Sequence, residues 1–227
     1  MKLRLEAGSK GIVQIHAIFA LVSALVLLIP GPAPGWKLLG LAGFYNVLLP
    51  VAAFKRSNPE WLSIWLFTFP ASVMMIMPDW FLSAQLGILV FPVDGSPMIG
   101  TVPVYMAGLW TIPLFAITYT GLRLFDKYGH LRAVGAVALL SLVVFGLAEE
   151  TMWMIGSWYP QNVTLISHTA VYVLLPEVIL GVSAYVLYFL TRHAHILRRL
   201  FWAYVVMVVY LGNLCLSYFV LERILLS

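Results

Sequence analysis

Seven long apolar runs dominate the chain, and short segments rich in proline, glycine or charge separate them. A transmembrane helix needs roughly 20 mainly apolar residues, and each run approaches or exceeds that length. The pattern therefore predicts an all-α, polytopic membrane protein that forms one transmembrane domain from residue 1 to 227. The seven predicted spans cover residues 11–30, 37–54, 61–78, 101–122, 132–156, 167–191 and 199–221.

The composition agrees with this pattern and excludes several classes of protein. Of the 227 residues, 62% are hydrophobic and only 10% are charged, and the mean hydropathy is +0.97. An ordinary soluble domain carries about 25% charged residues. So few charges cannot cover a water-facing surface, which excludes a soluble enzyme, a nucleic-acid binder and a disordered chain.

The basic residues predict the orientation of the spans. Of the 13 lysines and arginines, all but Lys37 and Arg223 precede span 1 or follow spans 2, 4 and 6. With seven spans these residues lie on one side of the membrane, which the positive-inside rule identifies as cytoplasmic. We therefore expect a cytoplasmic N-terminus, an external C-terminus, a retained first helix and residence in a bacterial inner membrane.

Four acidic residues lie within or at the end of predicted spans. Asp79 ends span 3, Glu149 and Glu150 occupy the last third of span 5, and Glu177 lies near the middle of span 6. An ionisable residue in a bilayer costs a few kcal/mol and is a functional candidate by default. Spans 3 and 5 run in the same direction, and Asp79 and Glu150 each come 18 residues after the start of their span. We expect both carboxyl groups at similar depth near the outer leaflet.

The surroundings of these acids suggest an internal repeat. Each unit would be a helix that ends in an acid, an outer loop and a returning helix. Tyr105 precedes Trp110 by five residues, as Tyr172 precedes Glu177. The sequence thus predicts a parallel repeat of helices 3–4 and 5–6, with the acids around one cavity, as internal repeats provide in many membrane proteins.

Glu149 and Glu150 are the strongest candidates for chemistry. Neighbouring residues are about 100° apart on a helix, so both cannot face one site, and the sequence leaves open which does. An alternative is a structural pair that bonds to neighbouring helices. Intramembrane CAAX-type proteases also have such a pair, but no arginine occurs among the four residues after Glu150.

Aromatic residues and one histidine complete the predicted site. Candidates for substrate binding are Trp80, Tyr105, Trp110, Trp153, Tyr172 and His168. An aromatic belt at the interface is the alternative for Trp80, and a lone interfacial histidine is the alternative for His168. The chain has one cysteine, and its other histidines lie toward the cytoplasmic side. We therefore predict no metal and no cofactor.

The segment from Pro78 to Phe115 resembles small bacterial seven-span membrane proteins of unknown function. The resemblance rests on Asp79-Trp80 near the start of the segment and on the run from Ile99 to Leu114. More loosely, the acid–loop–helix plan resembles the lycopene cyclases of the heterodimeric type and the bisanhydrobacterioruberin hydratases. That resemblance implies protonation of an alkene by membrane-embedded carboxyl groups. Leu175-Pro176-Glu177 and Pro78-Asp79 only approximate the Pro-x-Glu motif of the cyclases.

The leading functional hypothesis is an enzyme that acts on a polyisoprenoid in the bilayer, by protonation and then cyclisation or hydration. Asp79, Glu149, Glu150 and Glu177 are its predicted catalytic residues, and a membrane lipid or isoprenoid is its predicted substrate. We expect no nucleic-acid partner. A small proton- or ion-coupled transporter is the first alternative. A non-catalytic assembly or lipid-binding subunit is the second.

Overall fold

The computed structural model describes residues 2–226, with side chains from residue 10 onward. The basic residues before Lys10, which the orientation prediction uses, lie outside the described side chains. The described chain is mostly helical. Its α-helices are α1 Lys2–Leu28, α2 Pro34–Lys55, α3 Pro59–Met74, α4 Ile76–Trp80, α5 Met106–Leu109, α6 Thr111–Tyr128, α7 His130–Thr151, α8 Val171–Thr191 and α9 Ile196–Val220.

Short turns of altered pitch extend three of these helices. A π-helical turn, Phe81–Gln85, follows α4, and a second, Leu221–Leu225, follows α9. A 3₁₀ turn, Met152–Ile155, follows α7. The two π-helical turns carry the third and seventh predicted spans beyond their predicted ends, whereas the 3₁₀ turn ends one residue before the predicted end of the fifth span.

Six helical segments of the described chain are long and apolar enough to cross a membrane, which confirms a membrane protein. They are Lys10–Leu28, Pro34–Lys55, Pro59–Gln85, His130–Ile155, Val171–Thr191 and Ile196–Leu225. The predicted fourth span, 101–122, is not among them. Its first residues form a strand and the short helix α5, and the last turns of α6 carry Arg123, Asp126 and Lys127. The predicted count of seven is therefore not confirmed.

Local sequence signals explain where several helices begin. The side chain of Asn58 accepts a hydrogen bond from the Trp61 amide, and Pro59 takes the first position of α3, where a missing N–H costs nothing. His195 caps α9 by accepting from the Leu197 amide. Gly129, with φ of 81°, separates α6 from α7, a conformation that glycine adopts without strain.

The helices pack around α3 and α8. Helix α8 contacts α6, α7 and α9, whereas α3 contacts α2, α6 and α9, and α1 packs against α2. At the end where α6 meets α7, Arg123 forms an ion pair with Glu60 of α3. Ser63 of α3 accepts hydrogen bonds there from Arg199 at 2.7 Å and from Tyr188 at 3.0 Å. Polar contacts thus join α3, α6, α8 and α9 at this end, which we call the basic face.

Two long loops meet at the opposite end, which we call the loop face. They contain the strands β1 Leu89–Val90, β2 Met98–Ile99, β3 Val102–Pro103, β4 Tyr159–Pro160, β5 Leu165–Ile166 and β6 Thr169–Ala170. β2 pairs with β3 and β5 with β6 in tight antiparallel hairpins, whereas β1 of the first loop pairs with β4 of the second. The β1–β4 pair therefore joins the two loops.

The two hairpins recur at a constant separation of 67 positions along the chain. β2 and β5 begin at Met98 and Leu165, and each hairpin turns on a residue with positive φ, Gly100 or Ser167. The amide of Val104 bonds to the Pro97 carbonyl at 2.9 Å, and residues 171 and 164 form the equivalent bond at 3.0 Å. Both hairpins lead directly into a helical segment, and the predicted pair Tyr105 and Tyr172 has the same separation.

Candidate functional site

Three carboxyl groups meet below the loop face in the protein interior. Asp79 of α4 and Glu177 of α8 are each 2% exposed, and Glu149 of α7 is 9% exposed. Asp79 and Glu149 line one internal space, and Glu149 and Glu177 line a second. The fold thus brings together three of the four acids that the sequence selects.

A tryptophan donates a hydrogen bond to each of two carboxyl groups. The indole N–H of Trp110 donates to Oδ2 of Asp79 at 3.1 Å, and that of Trp158 donates to Oε1 of Glu149 at 2.9 Å. An indole can only donate, so these bonded oxygens act as acceptors.

No such donor to Glu177 is found among the described residues. Its Oε2 is buried and has no hydrogen-bond partner among the described residues. Burying an unpaired carboxylate costs far more than burying the neutral acid. The arrangement therefore favours the protonated form of Glu177.

Asp79 and Glu149 both line a small chamber. Its volume is about 20 Å³. Its polar lining includes the two acids, Tyr172 and Tyr210, and Leu89 and Pro160 of the β1–β4 pair also line it. We call this space the acid chamber.

A much larger space adjoins it on the side of α1 and α7. This apolar cavity has a volume of about 440 Å³, within the range of small-molecule sites. Both Glu149 and Glu177 line it. Apart from these acids, the lining is largely aliphatic and aromatic, from α1, α2, α6 and α7: among others Phe19, Leu27, Leu41, Ile112, Ala116, Val144, Phe145 and Leu147.

The apolar cavity reaches the surface of the helix bundle. Leu147, on its lining, is 59% exposed, and Thr151, one turn further along α7, is also exposed. On the opposite wall α1 contributes Ser23, whose hydroxyl is buried without a hydrogen-bond partner among the described residues. The apolar cavity is therefore open at the side of the bundle.

Glu150 lies elsewhere, although it is the neighbour of Glu149. Its side chain is 35% exposed and accepts hydrogen bonds from the β5–β6 hairpin. The donors are the Ser167 hydroxyl, the His168 amide and the Thr169 hydroxyl, at 2.6–3.1 Å. The rotation of about 100° between adjacent helix positions separates the two roles. Glu149, not Glu150, thus shares a chamber with Asp79.

Two of the predicted binding residues accompany Glu150. The rings of Trp153 and His168 stack 4.3 Å apart, and Nδ1 of His168 lies 3.0 Å from Glu150. Trp80 packs against Gly100 of the other hairpin. These three side chains lie at the loops, outside the lining of both spaces.

The remaining predicted aromatic residues lie close to the acids. Trp110 and Tyr172 line the acid chamber. Tyr105 is fully buried, and its hydroxyl bonds to the hydroxyl of Ser157 at 2.9 Å. It thereby holds the loop segment that carries Trp158.

Sequence reasoning missed Trp158 and Tyr210. The chain turns at Gly156, whose φ is 69°, and Trp158 follows two residues later. A glycine closely followed by a tryptophan was the sequence signal that could have indicated this contact. Tyr210 lies on α9, far along the chain from any acid in the site, and no local pattern marks it.

The backbone is irregular around Asp79. Helix α3 ends at Met74, α4 begins at Ile76, and a π-helical turn starts at Phe81. Such single turns occur frequently at functional sites. Among the described side chains, those of residues 10–226, no three His, Cys, Asp or Glu are grouped in a way that could hold a metal ion.

A family model described as a domain of unknown function, DUF6989, matches residues 76–221, which is more than half of the chain. The chain belongs to the DUF6989 family. No curated protein and no solved structure matches it. The predicted resemblance to proteins of unknown function is thus confirmed, and no similarity to carotenoid cyclases is found.

The DUF6989 region contains the three buried acids and the aromatic residues that line the acid chamber. The matched range starts at the first residue of α4 and ends at Leu221, one residue after α9. Helices α1 and α2, which form one wall of the apolar cavity, lie outside it. The carboxyl cluster therefore belongs to the DUF6989 domain, and the cavity is completed by the helices before it.

Proposed function

We propose that this chain is an integral-membrane enzyme that protonates a carbon–carbon double bond of a polyisoprenoid lipid, which then cyclises or takes up water. The observation that carries the proposal is the apolar cavity, which reaches the bundle surface and ends at two buried carboxyl groups. A hydrocarbon chain suits its lining, and a neutral buried acid suits the protonation of an alkene.

Glu177 is the proton donor in this proposal. Its O–H bond breaks, and the proton forms a C–H bond with the π electrons of the alkene, which leaves a carboxylate and a carbocation. A second double bond of the same chain can attack the cation and close a ring, and a later proton loss gives an isomer. Alternatively, water adds to the cation and loses a proton.

Aromatic faces near the acids suit the cationic intermediate. Trp110 and Phe145 line the apolar cavity with ring centroids 5.6 Å apart, and Trp158 shares the same wall. A cation close to such a face gains roughly 2 kcal/mol when both are desolvated. Glu149, with its indole donor, is placed to receive the proton that leaves.

We further propose that α5 and α6 together form the predicted fourth span, which brings the number of spans to seven. They extend over residues 106–128, about 34 Å at 1.5 Å per residue, which is enough for a hydrocarbon core of roughly 30 Å. Helix α8 follows an equivalent hairpin and is apolar enough to span. The constant separation of 67 positions supports a parallel repeat of α3–α6 and α7–α8. The N-terminus would then be cytoplasmic, in a bacterial inner membrane.

The direct test is mass spectrometry of lipid extracts from a bacterial host that makes linear carotenoids and other polyprenoids. Extracts with and without the protein are compared, next to Glu177→Gln, Glu149→Gln and Asp79→Asn. A new isomeric or hydrated product that disappears in these variants would support the proposal. Unchanged lipids, with the folded protein present in the membrane, would contradict it.

A proton-coupled transporter is the second candidate, and one observation favours it. The hydroxyls of Thr111, Thr118 and Tyr185 are buried without hydrogen-bond partners among the described residues, along α6 and α8 between the acids and the basic face. Water among them would give protons a path. Proton flux into proteoliposomes, lost in Thr118→Val and Glu177→Gln, would favour this function over the enzyme.

A further inference from the structure

The acid chamber has the size of one water molecule. A buried site needs about 10–15 Å³ of such volume to hold a water, together with two to four polar partners. The chamber offers about 20 Å³, with Asp79, Glu149, Tyr172 and Tyr210 on its lining. One water fits this volume.

Each of the two carboxyl groups has one oxygen that accepts from an indole and one that does not. The indoles of Trp110 and Trp158 bond to Oδ2 of Asp79 and Oε1 of Glu149. Oδ1 and Oε2 are the oxygens that these donors leave to other partners. A water molecule can donate to one carboxyl oxygen and accept from the other, which an indole cannot do.

We infer that the acid chamber is a binding site for a single water molecule, which bridges Asp79 and Glu149. Direct proton transfer between the acids through the tryptophans is excluded because an indole has no acceptor. The bridging water supplies the missing donor and acceptor. Both acids are buried, so such a molecule would be as ordered as the walls around it.

The position of Glu149 gives this water a role, which rests on the proposed function. Both spaces share Met106, Trp110, Glu149 and Trp158 on their linings, and Glu149 is the ionisable residue among them. After Glu177 has protonated the substrate, Glu149 passes its proton to Glu177. The water gives a proton to Glu149 and takes one from Asp79. The water is restored, and the proton deficit moves to Asp79 while the cation reacts. The transfers between Glu149, the water and Asp79 then run in reverse and return the deficit to Glu149, which takes the proton that the cation loses.

The site can be tested without any substrate. The full-length protein in lipid nanodiscs is solved at a resolution that shows ordered water. We expect one solvent peak within hydrogen-bond distance of both carboxyl groups. Ala170 also lines the chamber, so Ala170→Val should fill the space and remove the peak. An empty chamber in the unmodified protein would overturn the inference.

A matched variant controls for overpacking. Ala184 of α8 is equally buried but lines neither space, so Ala184→Val should keep the peak. If Ala170→Val does not fold, infrared difference spectra of the unmodified protein in H₂¹⁶O and H₂¹⁸O replace it. A water O–H band that shifts with the isotope, and that Asp79→Asn abolishes, is expected. No shifted band would overturn the site.

The relay is tested separately from the site and from the proposed function. In a host where the unmodified protein makes product, Ala170→Val should lower its rate at least about 100-fold, the scale of general acid–base catalysis. An unchanged rate with the water peak gone would overturn the relay while acid catalysis stands. A host lipidome without any product would contradict the proposed function. The water site would still be tested by the structure in nanodiscs.

Discussion

The indole N–H of Trp158 donates to Oε1 of Glu149 at 2.9 Å, and this bond joins the second loop to the last turns of α7. The two residues stand on the shared wall of the apolar cavity and the acid chamber. The loop thus takes part in the site, since it supplies the donor that fixes one of the three acids.

Removing this donor should weaken the fold. Trp158→Phe keeps an aromatic ring but leaves Oε1 of Glu149 buried without a partner, which costs about 1–3 kcal/mol. The measurement is the free energy of unfolding in detergent. Trp153→Phe is the control, because the Trp153 indole donates to the Glu150 carbonyl at an exposed position. Equal stability losses in the two variants would contradict this account of Glu149.

Adjacent acids should behave differently on substitution. Glu149→Gln should abolish the lipid product of the proposed reaction, because Glu149 lines both spaces. Glu150→Gln should retain the product and lower the thermal stability, because Glu150 accepts bonds from the β5–β6 hairpin. Lipid mass spectrometry and thermal unfolding measure the two effects. Loss of product in Glu150→Gln with an intact fold would show that the roles are reversed.

Much of the fold could be predicted because apolar runs of span length leave few alternatives. The cost of burying an acid in a membrane drew attention to Asp79, Glu149, Glu150 and Glu177, and the fold buries the first, second and fourth of them on the linings of two adjoining spaces. The choice between Glu149 and Glu150 was not available, because it depends on the rotation of α7 against α8. The position of Trp158 and the β1–β4 pairing depend on contacts between segments that are far apart in sequence. Patterns among neighbouring residues do not predict such contacts.

The fourth span shows a different limit. A window of apolar residues predicted a helix from 101 to 122, but Val102–Pro103 form a strand and α6 runs on to Tyr128. The hairpin before α6 forms because Gly100 adopts positive φ at its turn. A hydropathy window does not detect such a turn. The predicted helix therefore began too early, at residue 101, and stopped at residue 122, before the charged last turns of α6.

Blocking the mouth of the apolar cavity should stop substrate entry without unfolding the protein. Leu147 is exposed on its lining, so Leu147→Trp places a larger apolar side chain there at little cost to folding. We expect product formation to fall several-fold, with unchanged unfolding temperature. Leu139→Trp is the control, because Leu139 is exposed on α7 away from the cavity. An equal fall in both variants would argue against entry between α1 and α7.

The contact between α7 and α8 should depend on one glycine. A methyl group at Gly181 would overlap the Ser141 hydroxyl, which is buried and donates to the Val137 carbonyl at 2.8 Å. Small residues at such crossings allow membrane helices to approach closely. Gly181→Ala should therefore destabilise the protein by about 1–3 kcal/mol, the usual cost of overpacking.

Gly212 of α9 gives the matched comparison for that substitution. A methyl group there meets nothing within 4 Å, and alanine is the better helix former by about 1 kcal/mol. Gly212→Ala should therefore leave stability unchanged or raise it slightly. The unfolding midpoints of both variants in detergent decide the matter, and the prediction fails if Gly181→Ala unfolds no earlier than Gly212→Ala.

The proposed seven-span topology can be settled by labelling single cysteines in intact cells. Cys215 is the sole native cysteine, so Cys215→Ser gives the background. The labelled positions are Val93→Cys, Leu131→Cys and Ile166→Cys, all exposed in loops or at a helix start. If α6 crosses the membrane, an impermeant reagent should modify positions 93 and 166, and position 131 only after permeabilisation. If α6 does not cross, positions 93 and 131 react together and position 166 is protected, because α7 then returns the chain to the cytoplasm. The second pattern would remove α6 from the spans and with it the parallel repeat.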